Sequence, residues 1–250
     1  MRLIVTRPRA QAADWLVRLA GQGVDAVALP LIEIEGADAE VARFAWKRLE
    51  GAALAVFVSP NAVEHGLAGR PAGAAWPSNV LAATVGPASA RALLDAGVPA
   101  ELLVTPPADA ASFDSEVLWP LLSTRNWLGK RVLLLRGDGG REWLADQLRG
   151  RGAEVEALSV YRRLPPRLRG IEAALLQEAF AAPRANVWLF SSAEAVDKLR
   201  QLAGSPPAGG RAIATHARRK EAAEAAGWGQ VLLARPDAAS VAAHLQSLAP

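Results

Sequence analysis

The chain has 250 residues, 51% of them hydrophobic, a formal charge of +3 and no cysteine, which excludes disulfides, thiolate catalysis, iron–sulfur ligation and most structural zinc sites. His65, His216 and His244 are too scattered for a metal-ligand spacing, and the cations are mostly arginine, with lysine only at Lys47, Lys130, Lys198 and Lys220 and no dense basic run. A metal enzyme and a nucleic-acid partner are therefore disfavoured; no apolar run approaches the roughly 18 residues that span a bilayer, and Met1–Pro8 lacks the apolar core of a signal peptide, so a cytoplasmic protein is expected.

Read in chain order, the elements occur twice. Leu3-Ile4-Val5-Thr6-Arg7 is an apolar strand ending in Arg, and Leu133-Leu134-Leu135-Arg136 repeats it. Each leads into a helix with a Trp-Leu pair, Trp15-Leu16 or Trp143-Leu144, that stops at a glycine, Gly23 or Gly152. Second strands follow at Asp25–Leu29 and Glu154–Leu158. The extended segments Ile32-Glu33-Ile34-Glu35-Gly36 and Arg162-Arg163-Leu164-Pro165-Pro166 come next. A third strand, Ala55–Val58 or Val187–Phe190, turns through serine into a helix. The fourth, Leu81–Gly86 or Arg211–His216, leads to an Ala-rich helix that ends at Gly97 or Gly227. The fifth, Leu102–Val104 or Val231–Leu233, precedes proline and a last helix.

Five continuous apolar strands alternating with helices predict, in each half, a parallel sheet covered on both faces. The expected fold class is thus α/β, with two similar flavodoxin-like domains joined by a two-stranded hinge. The repeat is compatible with a simple tandem arrangement or with one in which the first segment is exchanged between domains.

Ligands of such sheets sit beyond the carboxyl ends of the strands. The candidate binding residues are therefore Thr6, Arg7, Ser59, Asn61, Gly86, Ser89, Arg136, Gly137, Arg141, Ser191, Ser192, Thr215 and His216. Hydroxyls, amides, bare backbone and cations there suit an anion, and helix N-termini add donors. Ser59, Ser89, Ser191 and Ser192 would equally serve as ordinary helix caps, and His216 as a helix-start cap. Gly137-Asp138-Gly139-Gly140-Arg141-Glu142 departs from a dinucleotide fingerprint, because Glu142 stands where the third glycine packs helix on strand. Tyr161, the one tyrosine, lies in the extended connection and offers a proton-donating hydroxyl; a packed hinge tyrosine is the structural alternative.

Thr6-Arg7-Pro8, Ser59-Pro60-Asn61-Ala62-Val63, Val85-Gly86-Pro87-Ala88-Ser89, Leu135-Arg136-Gly137-Asp138-Gly139-Gly140-Arg141, Val160-Tyr161-Arg162-Arg163, Phe190-Ser191-Ser192 and Thr215-His216-Ala217-Arg218 together resemble the uroporphyrinogen-III synthase family. The resemblance runs over essentially the whole chain. It implies the exchanged path, with one domain from 1–32 plus 164–250, the other from 37–159, and linkers at 33–36 and 160–163. It implies cyclisation of hydroxymethylbilane with loss of water and inversion of the last pyrrole ring. No cofactor or metal is expected, and Tyr161 matches the family tyrosine held to assist loss of the hydroxyl. Ser89 replaces a family threonine, and Arg219 holds the matching second-half position, which has no hydroxyl. The expected partners are the polycarboxylate substrate and, transiently, the preceding pathway enzyme; the chain is expected to act as a monomer. A two-lobed, non-catalytic anion-binding or sensor protein is the alternative.

Overall fold

The computed structural model describes residues 1–110 and 112–248. In chain order the elements begin with β1 (Arg2–Val5), α1 (Arg9–Ala20), β2 (Ala26–Ala28) and β3 (Glu33–Gly36). Next come α2 (Ala39–Leu49), β4 (Leu54–Phe57), α3 (Pro60–Leu67), β5 (Leu81–Thr84) and α4 (Pro87–Asp95). A 3₁₀ turn at Ala100–Leu102 leads to β6 (Leu103–Val104), α5 (Ser115–Ser123), β7 (Arg131–Gly137), α6 (Trp143–Gly150) and β8 (Glu154–Leu164). The remainder is α7 (Ile171–Ala181), β9 (Asn186–Phe190), α8 (Ala193–Ala203), β10 (Arg211–Ala214), α9 (Ala217–Ala225), β11 (Gln230–Leu233) and α10 (Ala238–Ser247).

Gly23 and Gly152 end the first helix of each repeat by adopting φ of 71° and 82°, which costs a residue without Cβ nothing. The following amides then return to the last helical turn, Val24 N–H to the Leu19 carbonyl and Ala153 N–H to the Leu148 carbonyl.

The chain divides into two compact units, Met1–Glu33 together with the chain from Leu164 on, and Ile34–Arg163. The first holds a sheet in the order β11-β10-β9-β1-β2, with every neighbouring pair parallel. Alternation along β1 sends Leu3 and Val5 to one face, where they meet Trp15 and Leu19 of α1 and Val241 and Leu245 of α10. The opposite face carries an aromatic cluster. Trp188 lies 5.6 Å from Phe180 and 5.8 Å from Trp228, ring centre to ring centre, within the 4.5–7 Å range of favourable pairs.

The second unit holds the order β3-β8-β7-β4-β5-β6. Pairings from β8 to β6 are parallel. Leu133 and Leu135 pack toward Trp46, Phe57, Val63 and Trp76 on one face, whereas Leu134 and Val132 pack toward Leu118, Leu122, Leu144 and Leu148 on the other. Both strand faces are thus covered, and β4 is buried at every residue. Numbered by their place in the repeat, the five parallel strands of each sheet run 2-1-3-4-5. Strands one and two of each sheet come from one repeat and strands three to five from the other.

Two local expectations need correction. A strand ending at Leu158 followed by a separate extended connection is instead one strand of 11 residues, β8. It pairs with β7 from Glu154 to Tyr161 and has β3 as its other neighbour. Ala37 N–H donating to the Val160 carbonyl at 2.9 Å belongs to this junction. Ser89 is not a cap: Gly86 occupies the cap of α4, and Ser89 is the third helical residue, buried against the fold.

Candidate active site

The candidate residues collect in two groups at the carboxyl ends of the strands, one group in each unit. In the first unit Thr6 is buried, and its Oγ1 donates to the Leu189 carbonyl at 2.6 Å, tying β1 to β9. Arg7 follows. Its guanidinium lies 4.4 Å from the centre of the Trp15 ring, a cation–π distance. Nη1 reaches Gln11 Oε1 at 3.5 Å, while Nε is buried without a hydrogen-bond partner among the described residues. Burial, and then the neighbouring cations Arg219 and Arg18, lower its pKa to about 10.

On the same edge, Arg219 Nη1 donates to Thr215 Oγ1 at 3.0 Å. His216 caps α9 as expected, its Nδ1 accepting from Arg218 N–H at 3.2 Å. Ser191 and Ser192 are half-buried before α8; Ser192 stands at the cap position with no side-chain cap bond.

In the second unit Ser59 extends from β4 and caps α3, Oγ accepting from Ala62 N–H at 3.1 Å. Asn61 is buried in the first turn of that helix. Gly86 opens α4, where a Cβ would stand 3.1 Å from Phe113 Cβ. Arg136 leaves the end of β7 and pairs with Glu142 at 2.5 Å. That hydrogen bond and charge hold the Glu142 carboxyl below its usual range. Arg136 Nε and Nη1 are nevertheless buried and unpartnered among the described residues. Arg141 grips Glu116 through both nitrogens, one at 2.7 Å, and that hydrogen bond raises its pKa.

Tyr161 is only 2% exposed. A shift of register between Arg136 and Gly137 sets Gly137 opposite Tyr161, and a Cβ on Gly137 would meet the ring at 2.7 Å. The glycine therefore makes room for the tyrosine. The Tyr161 hydroxyl lies 3.0 Å from Ser59 Oγ and 2.9 Å from Arg163 Nη2. Arg163 is anchored in turn by Asp138, whose Oδ1 accepts from its backbone N–H at 3.0 Å. The His65 ring lies 6.0 Å from the tyrosine ring.

Beside this network a cavity of about 120 Å³ is lined by Arg136, Arg141, Arg163, Ser115 and Gly137. Three guanidinium side chains thus line one small cavity, two of them held by Glu142 and Glu116. A larger groove of about 320 Å³ lies at the opposite, amino ends of β7 and β8, where Arg48 is already paired with Glu156 at 2.5 Å.

Arg163, Asp138 and Ser115 line or support the site although the sequence did not single them out as binding residues. Residues i and i+2 of a strand share a face, so Arg163 joins Tyr161 once β8 is seen to run through Leu164.

A family model described as uroporphyrinogen-III synthase HemD matches residues 13–243. The chain belongs to the uroporphyrinogen-III synthase family. Relatives agree with that family assignment. The uroporphyrinogen-III synthase of Proteus mirabilis is 32% identical over 166 residues, which are 66% of this chain and 81% of that one. The Escherichia coli K12 protein of the same name is 46% identical over 65 residues, 26% of either chain. Among solved structures, uroporphyrinogen-III synthetase from Helicobacter pylori 26695 superposes with a TM-score of 0.63 over the whole of both chains at 18% identity. A mutant uroporphyrinogen III synthase from the extremely thermophilic bacterium Thermus thermophilus gives 0.62 at 20% identity over 99% of this chain and 98% of that one. At such identities the structural likeness shows the shared α/β fold with parallel sheets. The family match favours a lyase of tetrapyrrole biosynthesis over a non-catalytic binding protein. Among the described residues no helix is long and apolar enough to cross a membrane.

Proposed function

We propose that this synthase-family chain closes hydroxymethylbilane into uroporphyrinogen III with loss of water and inversion of ring D, and that the strand-tip residues of both units bind the substrate. The observation that carries this reading is the family match over residues 13–243. The substrate bears eight carboxylates and otherwise closes spontaneously to the symmetric isomer. The protein's task is therefore geometric: to hold the terminal carbon against the substituted position of the last ring. Such positioning can contribute on the order of 7–11 kcal/mol.

Buried, under-partnered guanidinium groups at Arg7 and Arg136 support carboxylate binding, since an ionised partner offsets the cost of leaving a cation dry. Glu142 and Glu116 hold Arg136 and Arg141 in the unliganded chain and would yield to substrate carboxylates. Thr6, Asn61, Gly86 and Ser89 support the binding edge chiefly by packing and backbone bonds. Tyr161 is proposed to assist loss of the hydroxyl by supplying its proton, a role worth roughly 10²–10⁴-fold. The reading needs no cofactor; its substrate is a soluble small molecule in a cytoplasmic setting, and one chain suffices.

The sheet order 2-1-3-4-5 supports a flavodoxin-like description of each unit. We read residues 1–32 with 164–250 and residues 37–159 as domains, with 33–36 and 160–163 as a two-stranded link. The Arg162–Glu35 pair at 2.6 Å supports that link.

The test is turnover of freshly generated hydroxymethylbilane, with the two porphyrin isomers separated by chromatography after oxidation. The type III isomer should dominate. An isomer ratio equal to that without protein, from a folded sample, would overturn the reading.

A further inference from the structure

We infer that Ser59, not Tyr161, touches the leaving hydroxyl, and that Arg163, Tyr161 and Ser59 form a directed relay that delivers the proton; this rests on the synthase reading above. The direction follows from what each group can donate. A guanidinium only donates, so the Tyr161 oxygen accepts from Arg163 Nη2 at 2.9 Å. Tyr161 is 2% exposed, and the one acceptor within reach of its O–H among the described residues is Ser59 Oγ, at 3.0 Å. Pointing the proton elsewhere would leave a buried donor unsatisfied. Ser59 Oγ thus accepts twice, from Tyr161 O–H and from Ala62 N–H at 3.1 Å. Both its lone pairs are then occupied, and its own O–H is left to point outward. Ser59 is only half-buried and opens α3 at the carboxyl end of β4, where ligands of such sheets sit.

The step balances as follows. The substrate C–O bond breaks, and its electron pair leaves with oxygen. Ser59 gives that oxygen a proton, forming water, and takes the Tyr161 proton in the same movement. The charge left on the tyrosine oxygen faces the Arg163 guanidinium, a charge-assisted contact. The cyclised cation later releases one proton as its last ring regains aromaticity, and that proton restores Tyr161. Arg163 is a positioning residue: Asp138 holds its backbone, its Nη1 donates to the Asp138 carbonyl at 3.3 Å, and its Nη2 fixes the tyrosine hydroxyl.

The decisive variant is Ser59→Asn, which keeps a helix-capping side chain but has no hydroxyl to pass a proton. With Ser59→Thr as the hydroxyl-preserving control, kcat and KM are measured alongside the solvent deuterium effect on kcat. Ser59→Asn should lose at least tenfold in kcat with KM within about threefold and should lose the isotope effect; Ser59→Thr should retain both. Tyr161→Phe and the double variant should be about as slow as Ser59→Asn, because groups of one relay are not additive. Arg163→Met should lower kcat, and Arg163→Lys should recover part of it. A folded Ser59→Asn protein with wild-type kcat overturns the relay while leaving the synthase reading intact, provided wild type still makes the type III isomer. Wild type without that product overturns both. Multiplicative losses in the double variant also overturn the relay.

Discussion

Replacing Gly137 by alanine tests the site through its packing. The added methyl carbon would stand 2.7 Å from Tyr161 Cε2, 2.8 Å from Cζ and 3.1 Å from Arg163 Nη1. Carbon atoms attract best at about 3.5–4.0 Å, so the ring must retreat by roughly 1 Å. Tyr161 is 2% exposed and belongs to the cluster with Phe57, Val63 and Leu135, so that retreat presses on a filled core. Overpacking of this kind costs about 1–3 kcal/mol. In a chain of this length that is a fall in Tm of roughly 2–4 °C per kcal/mol. The same shift stretches the hydroxyl contacts, now 2.9 and 3.0 Å, beyond hydrogen-bond range. Activity should therefore fall about as far as in Tyr161→Phe, by roughly 10²-fold. Thermal unfolding and isomer-resolved turnover measure the two effects. Gly23→Ala is the control: its φ of 71° strains any side chain, but nothing lies within 4 Å of the new atom, so stability falls with kcat retained. Gly137→Ala with wild-type Tm and kcat would refute the claim that this glycine seats the tyrosine.

Arg7→Met should raise the Tm of the unliganded chain and raise KM, since it removes a poorly partnered buried cation that a substrate carboxylate would satisfy; a lower Tm would refute the first half. Because the folded pKa of about 10 lies below the ordinary guanidinium value, the folded protein sheds this proton before the unfolded chain does. Stability linked to Arg7 therefore rises between those pH values, and the gap between wild type and Arg7→Met should narrow there, as unfolding measured against pH would show. Arg136→Gln should raise KM more than it lowers kcat, and raising salt from about 0.05 to about 0.5 M should weaken wild-type substrate binding more than that of the variant, as contacts to carboxylates are screened. Equal salt dependence of KM in the two proteins would remove Arg136 from carboxylate recognition.

Strand-end chemistry is legible in the chain because both repeats place the same kinds of residue after the same apolar runs, Arg7 with Arg136 and Ser59 with Ser191. Their present partners are less legible. Thr6 looks like a ligand donor in sequence, yet its hydroxyl bonds to the Leu189 carbonyl, a partner 183 residues away. Ser89 resembles a cap because it follows Gly86-Pro87, but Pro87 already occupies the first helical position, so the helix begins three residues sooner than a Ser89 cap would start it. Arg163 hides in a polar segment that reads as a connection; only the continuation of β8 through that segment reveals that it shares a face with Tyr161.

The exchange of segments between the two sheets has a consequence for biosynthesis. Everything needed for the unit of Ile34–Arg163 has been made once residue 163 leaves the ribosome. The opening 33 residues must wait, because β1 finds its neighbour β9 only after Asn186–Phe190 has been synthesised. Closing so distant a pair carries an entropic cost that must be met before the pairing rewards it, which slows folding. During that interval Leu3, Ile4 and Val5, all fully buried at the end, lack β9, one of their two strand partners. A nascent chain arrested before residue 186 should therefore hold one finished unit and a sticky, protease-sensitive leader.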